Sequence, residues 1–285
     1  MTLETLKDQG AAFLAASLLA KSDKIQSTRF IIDLWVELRK HLKIKSRIDY
    51  LAVLLSQGRL MDLKIGEDNY LEIVQDSLEN IHRELVVKLT YPLLGEKNGS
   101  EVLAETYIVR LNDIASAMIA SAVTDLSSKV ESTKEIVDIW DEIRETNIIQ
   151  NNNEYLTALL VTSRINDLKK ELGHSGGLNI IIENFRNLLM NLEPTLKVTK
   201  IDLAAAYLTI AVVTQTPEIE SHGQIITIWK QFKDDLELNN TDLDIIASIL
   251  TASLIRNMTM KLDFNYIKEL YTRIWNRLQE VHITK

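Results

Sequence analysis

Two Glu-x-x-His pairs, Glu79 with His82 and Glu171 with His174, have the spacing in this chain that most directly suggests chemistry. A carboxylate and an imidazole one helical turn apart share a helix face. Di-iron carboxylate bundles use two such pairs with two further glutamates on facing helices. Here the pairs fall at non-equivalent places in the pattern described below, and His174 precedes Ser-Gly-Gly, which predicts it outside a helix. Glu79 and His82 therefore stand as weak metal candidates on a helix flank, and neither a resident metal nor another cofactor is expected.

Other charged groups offer binding rather than catalysis. Arg59, Arg164 and Arg256 each close a similar apolar segment. Guanidinium groups along one edge could grip an extended acidic partner, or simply offset a helix C-terminus. Lys40, His41, Lys43, Lys45 and Arg47 crowd one connection, whose equivalents read ETNIIQNNN and DDLELNNTD. The pattern does not require basic residues there, so they are a candidate surface for an acidic protein, a phosphate or a membrane. Asp234, Asp235 and Glu237 have the look of an acidic metal motif but run into a helix end, and His222 sits in PEIESHG, expected as a solvated loop. No phosphate-binding glycine loop, nucleophile elbow or zinc-protease motif occurs. There is no cysteine, so disulfides, thiolate metal sites and cysteine nucleophiles are excluded.

The elements that must position these groups emerge when the chain is laid against itself. Three segments align on tryptophan: IIDLWVELRKHLK from Ile31, IVDIWDEIRETN from Ile136 and IITIWKQFKDDLE from Ile225. An acid follows each Trp by 14, 14 and 15 residues, at Asp49, Glu154 and Asp244. Upstream, Asp113 and Asp202 each precede their Trp by 27 residues, and AAFLAASLLA is read as the matching stretch of the first block, with a shorter loop. Downstream, Val74, Leu78, Ile81 and Leu85 share their spacing with Ile181, Phe185, Leu188 and Leu192, and with Ile267, Tyr271, Ile274 and Leu278.

Apolar residues at i, i+4 and i+7 make a single helical stripe. Trp35, Trp140 and Trp229 sit mid-stripe and are expected as core anchors. Alternate helices are Ala-rich and apolar nearly all round, as expected of elements buried on several sides. Ser46, Asn151, Thr199 and Thr241, each with an acid three residues on, predict N-caps. Arg110-x-x-Asp113 lacks the capping side chain, so that helix is expected to begin earlier, near Ser100. Thr90–Ser100 and Pro194 mark stops after two of the helices.

These features predict an all-α chain of about twelve helices in three four-helix modules, approximately 1–96, 97–196 and 197–285. The helical hairpins would stack as an α-solenoid-like or curved, even closed, array. In layout it resembles the broad class of helical-hairpin repeat proteins, without the Trp-Leu-Gly and Pro signatures of tetratricopeptide repeats. Nine glycines and three prolines agree with long helices. The expected function is a non-catalytic scaffold presenting a concave face to another protein. One alternative is a helical-bundle enzyme or ligand binder whose interhelical pocket uses Glu79, His82 and neighbouring acids. Another is a self-assembling subunit, suggested by Tyr266, Tyr271 and Trp275 near the last helix. A net charge of −8 disfavours nucleic acid. No apolar run is long enough to span a membrane, and Glu4 and Asp8 before Ala11–Ala20 argue against a signal peptide, so a cytoplasmic location is expected.

Overall fold

Helix faces decide the architecture. The computed structural model describes residues 2–20, 27–60, 69–94, 107–126, 132–146, 149–165, 174–256 and 263–283. Among these the chain forms twelve helices and no strand. They are α1 (Leu3–Leu19), α2 (Thr28–His41), α3 (Arg47–Leu60), α4 (Tyr70–Leu94), α5 (Leu111–Leu126) and α6 (Thr133–Glu145), then α7 (Asn152–Val161), α8 (His174–Asn191), α9 (Lys200–Gln215), α10 (His222–Asp235), α11 (Asp242–Ile255) and α12 (Phe264–Ile283). No helix of the described residues is long and apolar enough to cross a membrane.

Even-numbered helices bury one stripe. In α2, Ile31, Trp35 and Leu38 are buried while Asp33, Glu37 and Lys40 are exposed. Odd-numbered helices are buried all round: α11 buries every residue from Asp244 to Ile255, and α3 every residue from Tyr50 to Gly58. A helix without a polar face needs neighbours on every side. The packing supplies them. Each odd helix packs on the next odd helix, from α1 through α3, α5, α7 and α9 to α11, and α11 packs back on α1. Each even helix covers the odd helix before it, and α4 pairs with α6, α8 with α10 and α12 with α2. The result is two concentric layers of helices, the inner one closed.

The interior of the inner layer is filled. Phe13 of α1 meets Tyr207 of α9 edge-on, with ring centroids 5.5 Å apart. The Tyr50 hydroxyl of α3 donates to Gln9 Oε1 at 3.2 Å. Tyr155 of α7 bonds Tyr207, and burial pushes its hydroxyl up to about 12. Phe13 and Tyr207 thus bring the non-neighbouring inner helices α1 and α9 into contact inside this layer.

Each tryptophan joins an outer helix to an inner one. Trp35, Trp140 and Trp229 donate from Nε1 to the carbonyls of Asp8, Asp113 and Asp202 at 3.0, 2.9 and 3.0 Å, all across 27 residues. The expected shorter loop in the first block is therefore corrected: Asp8 takes the place of Asp113 and Asp202 at the same interval. A cation one turn after each Trp lies over its ring, Arg39, Arg144 and Lys233 at 5.9, 4.8 and 5.1 Å. The same cations hold acids: Arg39 pairs with Asp8 and Glu4, Arg144 with Asp141, and Lys233 with Asp202 at 2.7 Å.

The predicted caps form. Asn151, Thr199 and Thr241 make capping boxes with Glu154, Asp202 and Asp244, and Ser46 exchanges bonds with Asp49. The expectation for α5 is corrected: residues 107–110 are not helical and the helix starts at Leu111. Asp113 still accepts the Arg110 amide at 2.6 Å and takes the Tyr107 hydroxyl at 2.9 Å in place of a cap side chain. Ser100 lies outside the described residues. Helix α4 also runs on past Pro92 to Leu94.

Candidate functional site

The groove between the outer helices α2 and α4, floored by α1 and α3, holds a cavity of about 270 Å³. Its floor is aliphatic: Leu14, Leu38, Leu42, Val53, Leu71, Val74 and Leu78. Its rim carries His41, Lys43 and Lys45 from the α2–α3 connection, Asp49 from α3, and Glu79 and His82 from α4. Two separate sequence candidates, the basic connection and the Glu79/His82 pair, meet at this one place.

The cavity has a cause in the sequence register. Counting from each Trp, the counterparts of Leu38 are Ile143 and Phe232. Counting from Val74, Ile181 and Ile267, the counterparts of Leu71 are Leu178 and Phe264, and those of Leu78 are Phe185 and Tyr271. In the third block Phe232 stacks on Phe264 with centroids 4.9 Å apart, and the Tyr271 hydroxyl donates to Asp244 at 2.8 Å. Those aromatics fill the space between α10 and α12. In the first block all three positions are leucine, so the aromatic volume of the third block is missing where the cavity lies.

Asp49 keeps a partner despite the missing tyrosine. His82 Nδ1 lies 2.8 Å from its Oδ1, and the Lys45 and Ser46 amides donate to Oδ2, each at 2.8 Å. Burial by itself would raise this carboxyl, but the imidazole and the two amides together hold it below the usual carboxylate range. A depressed folded-state value means that ionised Asp49 stabilises the fold above its unfolded pKa, and that this contribution is lost as pH falls through the lower folded value. Acid titration followed by circular dichroism should therefore show a shallower loss of stability below about pH 4 in Asp49→Asn than in the parent. Superimposable acid limbs would remove this role.

The remaining candidates separate. Lys43 and Lys45 are exposed on the rim. Lys40 is exposed on α2 away from the cavity, and Arg47 reaches the Val109 carbonyl at 3.5 Å. Arg59 is exposed in the last turn of α3. Arg164 follows α7 and donates to the Ile219 carbonyl at 2.8 Å. Arg256 caps α11, where burial lowers its pKa against the opposing pull of Asp125. These three follow alternate inner helices of a closed layer, so they surround one end of it rather than line an edge. His174 opens α8 instead of leaving a helix, while Glu171 lies outside the described residues. His222, expected in a solvated loop, likewise opens α10, which Ser221 caps, and its Nε2 lies 2.8 Å from Asn184 Oδ1. Asp234, Asp235 and Glu237 are exposed. Among the described residues no three His, Asp or Glu side chains converge as metal ligands.

Sequence reasoning passed over Asp8 and the cations Arg39, Arg144 and Lys233. Their signal was present as Trp-x-x-x-Arg or Lys in WVELR, WDEIR and WKQFK. It also passed over Leu38, Leu71 and Leu78, whose signal is a difference in size between aligned blocks. Two wider clefts are open to solvent. In one, Tyr107, Asp113 and Arg144 satisfy one another; the other runs from Asn151 to Val198. Comparison with protein-family models, curated proteins and solved structures finds no match.

Proposed function

We propose that the chain is a non-catalytic helical-hairpin repeat closed into a ring, and that its work is to hold a small apolar ligand in the groove between α2 and α4. The observation that carries this reading is the cavity at Leu38, Leu71 and Leu78, where the aligned third block has Phe232, Phe264 and Tyr271. The third block shows that the repeat accepts aromatic side chains at these positions, so the fold does not need leucine there. The filled interior and the closed inner layer favour this pocket over a concave protein-docking face.

Methyl-detected nuclear magnetic resonance with octanol tests the proposal. Saturable, one-site shifts should be confined to the methyls of Leu38, Leu71, Leu78 and their neighbours. Leu71→Phe should keep the melting temperature and weaken octanol by about tenfold or more, a change of about 1.4 kcal/mol. Shifts scattered over the surface, or unchanged binding in Leu71→Phe, would remove the pocket from the function.

A further inference from the structure

The two layers bring like ends together. Tyr50 meets Gln9 in the first halves of α3 and α1, and Lys200 meets Asp242 where α9 and α11 begin. Gly58 lies on Asp125 where α3 and α5 end. The inner helices therefore run parallel, with the outer helices antiparallel to them. One face of the ring collects the starts of the inner helices and the ends of the outer ones. Three of the five large apolar side chains exposed among the described residues sit on this face. They are Leu3 at the start of α1, Ile108 just before α5 and Met190 in the last turn of α8, the last two 75% and 76% exposed.

Charge on this face is ordered by position. The connections α2–α3, α6–α7 and α10–α11 each follow one of the aligned tryptophans. They fall at every second step around six inner helices, so they stand about a third of a turn apart. Five residues past its Trp the first connection has Lys40 and the third has Asp234. Six past, these are His41 and Asp235, and eight past, Lys43 and Glu237, all of them exposed. The first connection adds Lys45 and Arg47, so the neighbouring Asp49 and Glu79 offset only two of its four fixed positive charges. In the third, Asp234, Asp235 and Glu237 make no ion pair with a described residue, while the nearby Lys233 and Lys200 are held by Asp202 and Asp242. Apart from Glu145 at the end of α6, the middle connection exposes the amides of Gln150, Asn151 and Asn152.

We infer that this face joins a second copy of the same chain in a two-fold dimer. A two-fold axis lying in the face and passing through the middle connection exchanges the other two. The basic connection of each copy then meets the acidic connection of the other, at two equivalent bridges. The same rotation carries the sector of α5 onto that of α8, bringing Ile108 of one copy to the side of Met190 of the other. It also lays the amides of the middle connection, which both donate and accept, against their own copies. The far end of the axis passes between α11 and α1, beside Leu3. A closed two-fold contact needs a self-complementary patch, and here charge, apolar groups and amides all match under one rotation. A partner of a single charge fits one connection and is repelled by the other, whereas a second copy satisfies both.

Sedimentation equilibrium of the intact chain tests the inference. With rising concentration the parent should approach twice the chain mass. Lys40→Glu with Lys43→Glu reverses the basic connection, and Asp234→Lys with Glu237→Lys reverses the acidic one. Each pair should weaken self-association about tenfold or more. Mixed in equal amounts, the two variants should pair with each other, and all four substitutions in one chain should restore the dimer. Ile108→Ser with Met190→Ser should weaken it as well. Circular dichroism spectra matching the parent's would show that association is lost and folding is not. A parent that stays monomeric up to about 1 mM overturns the inference. So does a dimer that the charge reversals leave intact, or one that neither mixing nor the fourfold exchange restores.

Discussion

Trp140→Ala is expected to lower stability by about 3–5 kcal/mol, measurable as a drop in the urea midpoint at unchanged slope. Trp140 is fully buried, and its side chain does three things at once. Its ring fills the space between α6 and α5. Its Nε1–H bonds the Asp113 carbonyl at 2.9 Å, and its face carries the Arg144 guanidinium at 4.8 Å. Trp140→Phe separates these contributions. It keeps much of the apolar volume and loses the indole bond, and a single net hydrogen bond is worth only about 0.5–1.5 kcal/mol. A phenylalanine variant as unstable as the alanine one would mean that the bond to Asp113, not the filled volume, dominates. The same ranking should hold at Trp35 and Trp229, which make the same bond.

Gly58→Leu should be at least as damaging, with a cost of about 3 kcal/mol or more from overpacking. A Cβ at Gly58 would lie 2.7 Å from the Ser121 carbonyl oxygen and 2.9 Å from the Asp125 nitrogen, both backbone atoms of α5. A side chain could rotate away, but a helix backbone cannot. The inner helices α3 and α5 would have to separate, and a closed layer has no free end through which to relax. Gly58→Ala is the graded control. Alanine favours the helix by up to about 1 kcal/mol, so a net loss despite that gain would isolate the clash. An alanine variant as stable as the parent would show that α3 and α5 do not hold this separation in solution.

Much of this fold was readable in the residues, for identifiable reasons. Capping residues act on their own backbone, so Asn151, Thr199 and Thr241 announce their helices locally. The single stripes of α2, α6 and α10 state which face is buried. The closure of the inner layer was less legible. An apolar helix such as α11 reveals that neighbours surround it, not which ones, and the pairing of α11 with α1 joins opposite ends of the sequence. The groove was hidden for another reason. Leu38, Leu71 and Leu78 look like ordinary core residues singly, and only their aligned partners Phe232, Phe264 and Tyr271 reveal missing volume. Charge gave a partial signal: the basic connection stood out, but nothing local showed that only Lys43 and Lys45 of its residues would reach the cavity alongside His41.

The seam between α1 and α11 also sets a schedule for biosynthesis. Helix α1 is made well before its partner α11, which does not begin until Asp242. At about 5–20 residues per second the ribosome needs roughly 10–45 s to cover that distance. During this interval the Ala- and Leu-rich flank of α1 that will meet α11 has no native partner. A mutation that slows the hairpin of α11 and α12 would lengthen the window for aggregation rather than change any contact in the finished molecule.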